Sequence, residues 1–282
     1  MWQVVKHVNL AVAASLVVLS GYAHSPMSSY HDHGNSLQDA LVSSAANGDT
    51  KALEALLERG AQVNGNDRHG RTALIAAIDG GHRAAIHRLV EMGADVTLAK
   101  RDGWAPVMAA AQRGQRDTLA YLAASGADLG ARTAVGYTTL LAAVESGDST
   151  LVAELLDHGA SPDEATYDGW TPLMAAAARG QPDVVRELLA MGADPNARNH
   201  EEWTALLAAV ENGNEEVVLA LVQAEADIHA APLDGLTPLR RAEVRANEGM
   251  IVTLKESGRA STLADVLETN RAVVVVAERR PR

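Results

Sequence analysis

The 282-residue chain contains no cysteine and no phenylalanine, and its aromatic side chains amount to four Trp and five Tyr. Without Cys there is no disulfide, no thiol nucleophile and no lipidated cysteine, so burial alone must stabilise the fold. Without Phe, the core has to be built from Ala, Leu and Val. Basic residues are scarce as well: 24 Lys and Arg face 36 Asp and Glu, a formal charge of −12. Nucleic-acid binding draws on clustered Lys and Arg, so a nucleic-acid partner is not expected. No phosphate-binding glycine loop, G-x-G-x-x-G, G-x-S-x-G or H-E-x-x-H pattern occurs, and the chain reads as a non-enzyme without a cofactor.

Long apolar runs are missing too. The stretch from Leu10 to Leu19 falls well short of the roughly 20 residues that a membrane helix needs. With Lys6 before it and the small residues Gly21 and Ala23 after it, residues 1–23 have the layout of a secretory signal peptide, cleaved after Ala23. An exported chain with no Cys and no N-x-S/T site is expected in a periplasm, free of the membrane once the signal is removed. Residues 24–35 read as a flexible leader rich in His and Ser. His24, His31 and His33 there are weak candidates for metal binding, which gives an alternative reading as a metal-handling protein.

What the chain has in abundance is a period of 33. One glycine series runs Gly70, Gly103, Gly136, Gly169 and Gly235, with Glu202 replacing glycine at the missing step. A second runs Gly60, Gly93, Gly126, Gly159, Gly192 and Gly258, interrupted at Glu225, and a third runs Gly48, Gly81, Gly114, Gly147, Gly180 and Gly213. Between the first and third series lie short apolar stretches such as TALIAAI (72–78) and TPLMAAA (171–177). Thr there can cap a helix, and Pro106, Pro172 and Pro238 suit the first helical position. Paired Ala residues keep this helix thin, and the third-series Gly ends it in a left-handed conformation. A second apolar-faced helix follows, and Gly-Ala-Asp closes the unit.

The unit x-D-G-x-T-P-L-x-x-A-A-x-x-G followed by L-L-x-x-G-A-D resembles the ankyrin repeat over residues 36–264. The resemblance implies an all-α solenoid of about seven 33-residue helix-turn-helix units with hairpin loops, and a binding module for a protein partner. Units fall at 36–66, 67–99, 100–132, 133–165, 166–198, 199–231 and 232–264, and residues 265–282 form a capping segment and basic tail. The chain departs from the family where His normally follows Thr-Pro-Leu: Ile75, Met108, Leu141, Met174, Leu207 and Arg240 stand there, so apolar packing must replace the hydrogen bonds of that His. DGWAPVMAAAQRG (102–114) and DGWTPLMAAAARG (168–180) lie two units apart, the mark of a duplicated 66-residue pair. The ends differ from the middle, as terminal repeats must: Ser43 and Ser44 replace the Ala pair, and Arg240 and Arg241 enter the last inner helix.

Candidate contact residues follow from the same phase. Trp104, Tyr137, Trp170 and Trp203 recur just before the helix start, a position that in ankyrin proteins projects toward the concave side, with Arg71 there at one end of the series. Tyr167 lies on a neighbouring hairpin position. Aromatic rings of this kind are favoured interface anchors; the alternative is that each ring stiffens the adjacent hairpin. Gln112, Arg113, Glu145, Arg179 and Glu211 precede third-series glycines and are expected beside the rings, either pairing between repeats or facing a partner rim. The expected partner is a protein, such as a periplasmic enzyme or a toxin, bound by a monomer.

Overall fold

The computed structural model describes residues 33–258, and among these every regular element is a helix. The first repeat contributes α1 (His33–Ala46) and α2 (Thr50–Glu58). Five repeats of uniform design follow: α3 (Ala73–Asp79) with α4 (Arg83–Glu91), α5 (Pro106–Gln112) with α6 (Arg116–Ala124), α7 (Thr139–Ser146) with α8 (Ser149–Asp157), α9 (Pro172–Arg179) with α10 (Pro182–Ala190), and α11 (Ala205–Glu211) with α12 (Glu215–Gln223). The last described repeat has α13 (Pro238–Val244) and a helical segment over 248–258. Helix α1 begins at His33, ahead of the first repeat boundary expected at residue 36. The signal segment, residues 24–32 of the leader with His24 and His31, and the tail from 259 lie outside the described residues.

Each inner helix starts as its sequence dictates. Thr72, Thr138, Thr171, Thr204 and Thr237 are extended N-caps whose hydroxyls accept the backbone N–H three residues on. Ala105 cannot do this, and Pro106 at the first helical position partly offsets the loss by needing no N–H partner. Gly147 and Gly180 end α7 and α9 in the left-handed conformation.

The inner helices stack in chain order from α1 to α13. Ala76, Ala77, Ala109, Ala110, Ala142, Ala143, Ala208 and Ala209 are buried in this stack, where small side chains let neighbouring helices approach closely. Ile75, Met108, Leu141, Met174 and Leu207 are fully buried, so apolar packing does occupy the place of the family's histidine, while Arg240 in the last repeat is exposed. At the opposite end Ser43 is exposed, in keeping with a terminal inner helix that has one face in water.

Hairpins between repeats form a second ladder. The N–H of Ala134 donates to Asp102 O (2.8 Å), Tyr167 to Val135 O (3.0 Å), His200 to Asp168 O (3.0 Å) and Leu233 to Glu201 O (3.3 Å). From the 100–103 hairpin onward, each tip thus holds the next in register. Glu202, Glu225 and Ala246, which stand where the three glycine series break, keep the positive φ of their glycine counterparts, at 62°, 63° and 53°.

Candidate interaction surface

Each hairpin is closed by its own polar residue before an aromatic is placed. Asp102 Oδ1 accepts the N–H of Trp104 (3.0 Å), Thr133 Oγ1 that of Tyr137 (3.0 Å), Thr166 Oγ1 that of Trp170 (3.0 Å) and Asn199 Oδ1 that of Trp203 (2.8 Å). The backbone is therefore fixed where each ring begins. Trp104 and Tyr137 approach with ring centroids 5.8 Å apart and planes tilted by 32°. Both rings, and that of Trp170, are half-buried and pack against the main core with part of their surface left to solvent.

Tyr137 is held most firmly. Its hydroxyl donates to Leu141 O (3.2 Å). Burial pushes that hydroxyl far above the usual tyrosine range, and the Glu145 carboxylate beside it adds to the effect.

Trp203 departs from the expected row. It is 5% exposed, clusters with Leu207 and Ala230, and lies under the guanidinium of Arg241, 4.5 Å from its ring centroid. This ring belongs to the scaffold between the 199–231 repeat and the one that follows it, and offers almost no surface to a partner. Arg241 stands in the phase of the stacked alanines, yet it is itself buried, paired with Glu211 (3.1 Å) and with Asp234. Its role was foreshadowed in sequence only by an Arg in an alanine position.

Tyr167 stands apart from the other rings, 65% exposed at a hairpin tip and seated against Gly136, where an added Cβ would come within 2.9 Å of Tyr167 Cδ1. Arg71 turns back onto Asp67 of its own hairpin (3.0 Å). That Asp67 carboxyl is raised by burial but held below the usual range by the Arg71 backbone N–H and side chain.

The charged row is knitted from repeat to repeat. Arg113 pairs with Asp79 (3.7 Å), Gln112 donates to Glu145 (2.6 Å), Arg179 pairs with the same Glu145 (3.0 Å), and Glu211 takes Arg241 and Arg245. Of the two readings open to these residues, pairing between neighbours is the arrangement present. The charges beside the rings are consequently close to balanced. No group of three or more His, Asp or Glu side chains able to hold a metal occurs among the described residues.

This stack of capped helix pairs joined by hairpins is the ankyrin architecture, and family comparison agrees. Ankyrin repeats (3 copies) match residues 3–100, 41–133 and 107–199, and a single ankyrin repeat matches 201–231. The chain belongs to the ankyrin-repeat family. The first match reaches back across the segment with the signal-like layout. Among solved structures the chain is similar to the human ASB11 ankyrin repeat domain, at 28% identity and a TM-score of 0.64, over 71% of this chain and 90% of that one. No curated protein matches. The ankyrin fold is in general an interaction scaffold without catalysis, and a protein-binding role follows for this chain at that level.

Proposed function

We propose that this chain is an exported, non-enzymatic ankyrin-repeat protein that binds a protein partner on the concave side of its solenoid, with Trp104, Tyr137 and Trp170 as the central anchors. The observation that carries the reading is their half-burial. Each ring is fixed at its base by hairpin hydrogen bonds and core packing but keeps part of its surface in solvent, so it can bury area on binding while losing little rotamer freedom. Beside Tyr137, Glu145 and Arg179 neutralise one another, which lowers the desolvation cost of covering that ring. A periplasmic enzyme served by an accessory protein, or a secreted toxin held in check by an immunity protein, fits this surface. The layout of residues 1–23 supports export to a periplasm.

Affinity capture from periplasmic extract, with wild type and a Trp104→Ala/Trp170→Ala variant as baits, tests the binding site. Loss of a specific protein from the variant bait, with its helical circular dichroism intact, is the expected result. Retention of every captured protein by the folded variant overturns the assignment. Export is checked by fractionation and N-terminal sequencing: a mature chain beginning at His24 in the periplasmic fraction is expected, and a cytosolic chain beginning at Met1 contradicts it.

A further inference from the structure

The stack of described helices ends on a face whose counterparts in earlier repeats are covered. Leu239 of α13 is half-buried, whereas Leu74, Val107, Leu140, Leu173 and Leu206, in the same phase, are at most 1% exposed. Ile251, in the helical segment that follows α13, is half-buried where Ile86, Leu119, Val152, Val185 and Val218 are enclosed. Val244 is 61% exposed, while its counterparts Glu145 and Glu211 each pair with an arginine of the following repeat. The hairpins repeat the pattern. Gly103, Gly136 and Gly169 lie against the next hairpin, where an added Cβ would come within 2.9 Å of it, but Gly235 faces open space.

What lies beyond that face in the chain fits it in length, place and phase. Gly258 continues the second glycine series, and 24 residues follow it. Between Gly192 and Glu211 the chain takes 19 steps to build a hairpin and α11, and the same 19 steps from Gly258 end at Ala277. In that register Asn270 stands in the phase of the capping threonines, and asparagine is among the best N-caps. Ala272, Val273, Val274, Val275 and Val276 then stand in the phase of Leu206, Leu207, Ala208, Ala209 and Val210. Valine in place of the alanine pair suits a helix with nothing packed beyond it. Four β-branched residues in a row make a weak helix alone, so the run depends on the face it covers. We propose that residues 270–277 of this chain cover the end face of the last described repeat, in the register of an eighth inner helix. A segment tethered at the edge of the face meets it at high effective concentration, which disfavours a second copy there. The capping segment expected from sequence at 265–282 thereby acquires a face and a register, and the solenoid closes at this end.

The absence of cysteine makes disulfide trapping a direct test of the register. A Cβ added to Gly114 would stand 3.6 Å from Ser146 Cβ, a separation that a disulfide spans. In phase, that step corresponds to Ala246 and Glu278. The full-length mature chain carrying Ala246→Cys/Glu278→Cys is compared with one carrying Val252→Cys/Glu278→Cys, whose first cysteine lies exposed on the outer helical segment. Both are oxidised in dilute solution, and closure is followed by mass spectrometry. The intramolecular disulfide should form at least about tenfold faster in the first pair, because docking raises the local concentration of one thiol at the other. Adding Val275→Asp to the first pair should remove that advantage, since it puts a charge on the covered face. Circular dichroism establishes that each variant is folded. Equal closure rates for the two pairs, a first pair indifferent to Val275→Asp, or a disulfide that links two chains, which would make a second copy the occupant, overturns the proposal.

Discussion

At the scale of single residues, rings in the same sequence phase have different work, and mutation separates them. Trp203 is enclosed by Leu207, Ala230 and Arg241, so Trp203→Ala opens a cavity and removes a cation–π contact. A loss of about 3–5 kcal/mol in urea unfolding is expected. Trp104→Ala and Trp170→Ala remove rings that are only half-buried and should cost clearly less stability while costing more binding. Tyr137 gives a further residue-level test. Its folded-state ionisation lies above the unfolded value near 10, so the neutral form is favoured in the fold. Its stabilising contribution is full below pH 10 and is lost as pH rises above that value, at up to about 1.4 kcal/mol per pH unit. Tyr137→Phe should flatten that alkaline decline in the urea midpoint; an unchanged slope would place the hydroxyl in solvent. The sequence told that these aromatics share a phase. It could not tell that Trp203 is covered, because the covering group, Arg241, comes from the next repeat and is buried where an Arg is least expected.

At the scale of elements, the glycine series explains both its members and its gaps. Glu202 and Glu225 hold φ near +60°, a conformation that costs an L residue roughly 1–2 kcal/mol relative to glycine. Glu225→Gly should therefore stabilise the protein by about 1 kcal/mol, a rise in thermal midpoint that calorimetry reads directly; Glu202→Gly should gain less, since it also forfeits the pair with Arg198. Within the series the glycines are not equivalent. Alanine at Gly103 would press against Thr133 Cα at 2.8 Å as well as adopting positive φ, whereas the space around Gly126 is open. Gly103→Ala should thus be the more damaging of the two in the same denaturation experiment. Helix starts, helix ends and the buried aliphatic substitute for the family's histidine were all legible from the 33-residue period, since each rests on local chemistry. The start of α1 at His33 was not, because the first repeat has Leu37 and Asp39 where the others have the hairpin glycine and the capping threonine.

At the scale of the whole molecule, the charges beside the aromatic rings pair from repeat to repeat, while Trp104, Tyr137 and Trp170 stay half-buried. Which charges pair was open in sequence, since the choice depends on distances between repeats and not on spacing along the chain. The central claim concerns the groove, and titration calorimetry measures it most directly once capture has supplied the partner. Wild-type protein and the Trp104→Ala/Trp170→Ala variant, matched for helical content, are each titrated with that purified partner. The account predicts that the variant loses at least about 2 kcal/mol of binding free energy, roughly a thirtyfold weaker Kd. A folded variant that binds as tightly as the wild type would contradict it.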